Sequence, residues 1–203
     1  MDASVIWVAI VVAGILSLFF DIHYFAYSVI VLIGSTIKRQ ISHKNFQLEN
    51  FHYGFCFSTD LDFMLHMNNA RYLRECDFGR FCLYTRTGVW GALKKLGGSM
   101  TLGASTIRYR KSINFLCLYQ VRTKIVCWDE KAFYLEQTFI RPSDKFVYAI
   151  ALIKQSVIKV PPKDVVQAIQ GVETESPDFP EEIKKWIECN QISSEKLRNG
   201  KDK

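Results

Sequence analysis

Apolar side chains run without a charge from Ala3 to Phe20, stop at Asp21, resume from Ile22 to Ile37, and end at Lys38-Arg39. Eighteen residues at about 1.5 Å per residue reach roughly 27 Å, near the thickness of a bilayer core, so the first run predicts a membrane helix. Ile6–Phe20 is apolar all round, whereas a helix on the surface of a soluble domain would show one polar face. A cleaved signal peptide is the competing reading. It wants a basic start and a small-residue cleavage site, and the chain has neither: Ser-Leu-Phe-Phe-Asp follows Leu16.

Beyond a linker at 38–47, the pattern changes period. Residues 48–58 alternate with many aromatics and read as a strand. After a loop at 59–67 the spacing becomes helical. Tyr72, Cys76, Gly79 and Leu83 share one face, Asn68 or Asn69 is placed to cap the start, and Gly88 to stop it. Gly79, in mid-helix, costs about 1 kcal/mol against Ala, so a close neighbour is expected there. A short helix at 89–96 ends at Gly97-Gly98. Strand-like runs follow at 101–111, 118–128, 132–141 and 146–156, the last three separated by Asp129-Glu130-Lys131 and Pro142-Ser143-Asp144-Lys145. Phe146–Ile153 is almost wholly apolar, as in a strand covered on both faces. Residues 157–203 turn polar, with two short amphipathic helices set off by prolines and a frayed last dozen residues. One long helix covers five strands only if the sheet curls around it. The expected class is therefore α+β, a curved antiparallel sheet wrapped around a central helix, within 48–156 and behind an N-terminal anchor at 1–37.

Composition narrows the function classes. The chain has 203 residues and a net charge of +6, and all 26 basic side chains lie after residue 37. A basic body behind an apolar leader suits an anionic membrane surface or a phosphorylated ligand. No Lys/Arg run exceeds two residues, and no nucleic-acid motif is present, which argues against nucleic acid. The six cysteines form no CxxC pair and the four histidines are scattered, so neither a zinc site nor another cofactor is expected. The cysteines sit mostly in apolar stretches and read as reduced. With Lys38-Arg39 flanking the leader, that puts the body on the cytosolic side, the endoplasmic reticulum being the default membrane; a secreted, signal-cleaved form is the alternative.

The chemistry concentrates in Asp60-Leu-Asp62-Phe-Met-Leu-His66-Met-Asn68-Asn69-Ala-Arg-Tyr72. A carboxylate in a loop among apolar residues is placed to act as a nucleophile or to activate water, and backbone N–H groups at a helix start make a natural oxyanion site. Read without context, Asp60 and Asp62 also serve as turn or capping residues, His66 as a packing histidine, and Arg108, Arg110 and Lys111 as the solvated side of a strand.

This run, D-x-D-x-x-x-H-x-N-N-x-x-Y at a loop-to-helix junction, resembles the 4-hydroxybenzoyl-CoA thioesterase branch of the hotdog superfamily; plant acyl-ACP thioesterases carry a similar one. Ile107-Arg-Tyr-Arg-Lys-Ser-Ile113 and Val121–Trp128 fit the later strands of that fold. The resemblance implies that Asp62 is the catalytic carboxylate and that His66 matches the histidine of the acyl-ACP enzymes, with Asn68 and Asn69 beside the oxyanion. It also implies an acyl-CoA substrate, a homodimer with its site at the subunit interface, and CoA phosphates near basic residues such as Arg108, Arg110 and Lys111. The acyl-ACP enzymes have an Asn where Met64 stands. A membrane-associated acyl-CoA thioesterase of lipid metabolism is therefore expected, the alternative being a catalytically silent hotdog that binds acyl-CoA or lipid, or scaffolds membrane partners. A hotdog hydratase would need another Asp/His spacing.

Overall fold

The computed structural model describes residues 2–19, 21–41 and 49–199. Helices α1 (Ala3–Phe19) and α2 (Ile22–Ile41) come first, followed by strand β1 (Asn50–Phe55). The long helix α3 (Asn69–Thr87) and the short α4 (Val89–Leu96) lead into β2 (Ser99–Tyr109), β3 (Leu118–Trp128), β4 (Ala132–Ile140) and β5 (Val147–Ile158). Helices α5 (Pro162–Gln170) and α6 (Glu181–Asn199) complete the chain.

The five strands form one antiparallel sheet in the order β1-β3-β4-β5-β2. Strand alternation sends Phe133, Leu135 and Phe139 of β4 and Ala149, Ala151 and Ile153 of β5 to the face that packs on Tyr72, Cys76 and Leu83 of α3. The opposite side chains, Ala132 and Tyr134, meet Ile183 and Trp186 of α6, joined by Leu152. A register shift between Ile125 and Cys127 carries β3 from one cluster to the other. The apolar run in β5 thus has cover on both sides, as its pattern requires.

Gly79 has its close neighbour. A Cβ there would stand 2.5 Å from Thr123 Oγ1 and 2.8 Å from Gln137 Nε2. That near approach lets Gln137 Nε2 donate to the Cys76 carbonyl at 2.9 Å and to Thr123 Oγ1 at 3.0 Å, while its Oε1 accepts from Arg80 at 2.9 Å. A polar bolt thus fastens helix to sheet inside an apolar core.

Two expectations change. The expected membrane helix does not reach its length: α1 ends at Phe19, and no helix of the described residues is long and apolar enough to cross a membrane. Asp21 opens the second helix. Its Oδ1 accepts from the Tyr24 N–H at 3.0 Å, starting a new helix, and its Oδ2 pairs with Arg74 at 2.8 Å. The second apolar run then lies along α3 as α2. Tyr24 Oη donates to Asp77, Tyr27 packs edge-to-face on the fully buried Phe78, and Ser35 Oγ donates to Cys82. In the tail, α6 continues to Asn199 where fraying was expected, since Ile183, Trp186 and Ile187 anchor it to the sheet. The linker after Ile41 and the first expected strand residue, Leu48, lie outside the described residues.

Candidate active site

The loop between β1 and α3 is built by Asp60. Its side chain accepts from the Phe57 N–H at 3.0 Å, and its carbonyl accepts from the Asn68 N–H at 2.8 Å. The residue is buried and sits 3.9 Å from Arg71 Nε. Asp60 is therefore the loop's internal brace.

Asp62 and His66 close a tight turn at the loop's tip. The Asp62 N–H donates to the His66 carbonyl at 3.0 Å, and Asp62 Oδ1 accepts from the Met64 N–H at 2.9 Å. Asp62 Oδ2 faces His66 Nδ1 at 3.5 Å, too long for a good hydrogen bond, and Nδ1 has no hydrogen-bond partner among the described residues. Both side chains are partly open to solvent, 20% and 26% exposed. The sequence expects apolar neighbours around Asp62. Instead, Phe63, Met64 and Leu65 form the outward tip of the turn, with Phe63 94% exposed and Leu65 at a positive φ of 61°. Met64, where the acyl-ACP pattern has Asn, turns its side chain to solvent and offers the carboxylate its backbone N–H.

The base of the turn is held firmly. The fully buried Met67 donates its N–H to the Ile113 carbonyl at 2.8 Å, and the Ile113 N–H donates to Tyr72 Oη at 3.2 Å. The motif's Tyr72 is thus a positioning residue, and burial pushes its phenol up to about 12. Asn68 is the N-cap of α3: its side chain accepts from the Ala70 N–H at 2.9 Å and its carbonyl from the Arg71 N–H at 2.9 Å. Three helix-start amides are therefore engaged, that of Asn68 by the Asp60 carbonyl and those of Ala70 and Arg71 by Asn68, while Asn69, whose carbonyl accepts from Tyr109 Oη at 2.9 Å, keeps its own.

The basic residues are not gathered on Asp62. Arg108 is exposed, and its neighbour Tyr109 faces the start of α3, so strand alternation turns Arg108 to the other side. Arg110 and Lys111 stand instead around the Phe146 ring at 5.2 and 5.9 Å, with Arg141 at 5.3 Å. Arg110 and Lys111 lie just past β2 and Arg141 just past β4, where it pairs with Asp144 at 3.1 Å, and the three cations on one aromatic form a basic edge. No described cavity opens on Asp62; the larger ones lie under α6 and beside Trp128.

Sequence reasoning passed over Glu75. It is buried on α3, accepts from the equally buried Tyr119, and burial drives its carboxyl up to about 7 against that hydrogen bond. The signal was present: 75 falls between 72, 76 and 79 on the inward face of the helix. All six cysteines are free, and no group of His, Cys, Asp or Glu among the described residues forms a metal site.

A helix laid against a five-stranded antiparallel sheet, with an Asp/His turn at the helix start, defines a hotdog protein of the thioesterase kind. The chain belongs to the Thioesterase-like superfamily, whose family model matches residues 58–187. It is 42% identical over 187 residues to Protein THEM6 of Xenopus laevis, covering 92% of this chain and 89% of that one. It is also 39% identical to Protein THEM6 of Drosophila melanogaster, covering 95% and 98%. Among solved structures, the YbaW probable thioesterase of Escherichia coli superposes with a TM-score of 0.54 at 19% identity, over 59% of this chain and 97% of its own. The hypothetical protein SAV2348 of Staphylococcus aureus, solved in complex with CoA, gives 0.53 at 16% identity, over 70% and 96%. At these identities the two structures speak for the fold.

Proposed function

We propose that this protein hydrolyses fatty acyl-CoA to the free acid and CoA at the face of a membrane. The observation that carries this reading is the Asp62 carboxylate held by its own turn, with one oxygen taken up by Met64 N–H and the other directed at His66, 3.5 Å away. In this mechanism Asp62 takes a proton from water as the water oxygen attacks the thioester carbon. The Asn69 amide at the start of α3 donates to the resulting oxyanion. When the tetrahedral intermediate collapses, the C–S bond breaks and the proton returns to the CoA thiolate, with His66 orienting the carboxylate.

The reading includes a homodimer. β2 is an edge strand with most of its eleven residues exposed, so its free backbone groups are open to pairing with a second β2. A partner laid there would border the Arg110, Lys111 and Arg141 edge, the place for CoA phosphates, and would wall an acyl pocket that one copy does not enclose. Membrane attachment is assigned to α1, whose described side chains are uncharged and mostly exposed apolar ones, including Trp7 and Val8. Lys38 and Arg39, the first basic residues after the apolar leader, support a domain on the cytosolic side, with the endoplasmic reticulum as the proposed membrane.

Two observations favour a silent acyl-CoA binder: Met64 supplies no side-chain donor, and Asn68 takes up two of the helix-start amides. Thiol release and melting temperature, measured on the full chain in detergent with a panel of acyl-CoAs, separate the two. Turnover supports the hydrolase; a raised melting temperature with no thiol released means a binder.

A further inference from the structure

Helix α2 has two unlike faces. Tyr24, Tyr27, Ser28, Val31, Gly34 and Ser35 turn to the body, where they hydrogen-bond and pack. The opposite stripe, at spacings of three and four, is Ile22, Phe25, Val29, Ile30, Ile33 and Ile37, and every one is more than two-fifths exposed. A patch of this size is costly in water unless something covers it.

Four observations select the cover. First, the stripe holds no acidic residue and ends at Lys38 and Arg39, both exposed. Second, it continues onto β1, where the exposed Phe51 and Tyr53 share a cavity of about 220 Å³ with Ile30, Lys38 and Arg86, again with no acid in its lining. Apolar stripe, aromatic border and basic rim form the pattern of a helix lying in the headgroup layer of an anionic bilayer. Third, Asp21, at the start of α2, is tied to Arg74 on α3, so the stripe is held in place against the body. Fourth, a second copy has another surface open to it, because the unpaired edge of β2 lies at the far side of the sheet from β1.

We infer that the outer face of α2, with Phe51 and Tyr53, is a lipid-docking surface that lays the domain flat on an anionic bilayer. This inference rests on the membrane reading above and adds to it: α1 tethers, and α2 sets orientation. Because Asp21 also approaches Arg71, which in turn approaches Asp60 and donates to the Thr59 carbonyl, docking holds the Asp62 loop at a fixed height over the lipid.

The test uses the full chain, bound to phosphatidylcholine vesicles with and without phosphatidylserine. An environment-sensitive fluorescent amino acid is placed at Ile33, and a control at Lys185 on α6. The expected result is about twofold or greater quenching of the Ile33 probe by nitroxide-bearing lipid, with protection from aqueous iodide and the reverse at Lys185. Lys38→Glu should weaken the phosphatidylserine dependence several-fold. If the chain stays on the vesicles while iodide still reaches Ile33, the docking surface is refuted and the tether survives. If Ile33 is shielded from both quenchers, a second copy covers the stripe and the inference fails. If the chain does not bind vesicles at all, both readings fall.

Discussion

Gly79 and Glu75 show how much a single position on α3 decides. Gly79→Ala brings the helix a better helix former, worth about 1 kcal/mol, but the new methyl invades the space of Thr123 Oγ1 and Gln137 Nε2. Displacing Gln137 breaks its bonds to Cys76 and Thr123 in a buried site, which costs more than the propensity gain. Thermal unfolding of Gly79→Ala should show a net loss of about 1–3 kcal/mol. Glu75 bears on pH. Its folded carboxyl sits at about 7, above the ordinary 4.5, so the folded protein holds a proton that the unfolded chain gives up. Stability should therefore fall as pH rises from about 4.5 to 7 and level off above that. Glu75→Gln, which keeps an acceptor for Tyr119, should flatten the slope in melts run across that range. Both residues left traces in the sequence, a glycine in mid-helix and a carboxylate on an inward face. What the linear pattern lacked was the partner: Thr123, Gln137 and Tyr119 lie on strands more than forty residues away.

Among the elements, the strands and central helix were legible because their signals are local. Alternation marks β3 at Leu118–Trp128 and punctuation marks α4 at Val89–Leu96, and both are found at those bounds. The two N-terminal helices were harder to read, since hydropathy alone does not distinguish a side chain facing lipid from one facing Phe78. The polar residues of α2, Tyr24, Tyr27, Ser28 and Ser35, recur at helical spacing, and that periodicity marks a packed inner face. A chain shortened to start at Asp21 should fold and melt normally. One shortened to start at Lys38 uncovers Phe78 and strips Asp77 of its Tyr24 partner. It should aggregate or melt several degrees lower in a thermal shift series comparing the two, because uncovering a phenylalanine costs about 1.5–3 kcal/mol.

The whole molecule carries the chemistry that no element holds alone. The motif announced Asp62 and His66, and the structure sets them in one turn 3.5 Å apart. It leaves Arg108 on the far side of β2, and it gathers Arg110 and Lys111 with Arg141 around Phe146, a grouping that only the β4–β5 hairpin creates. The proposed homodimer belongs to this scale as well. Light scattering of the detergent-solubilised protein should give a dimer, and substitutions in β2 should reduce it to monomer. Asp62 is proposed to perform the hydrolysis, and thiol release from acyl-CoA by the wild type and by Asp62→Asn measures this directly. Asn keeps the size and an acceptor for Met64 N–H, so the fold should survive with its melting temperature unchanged. Loss of a general base should then lower the rate by about 100-fold or more. Equal thiol release by the folded variant would remove Asp62 from the chemistry.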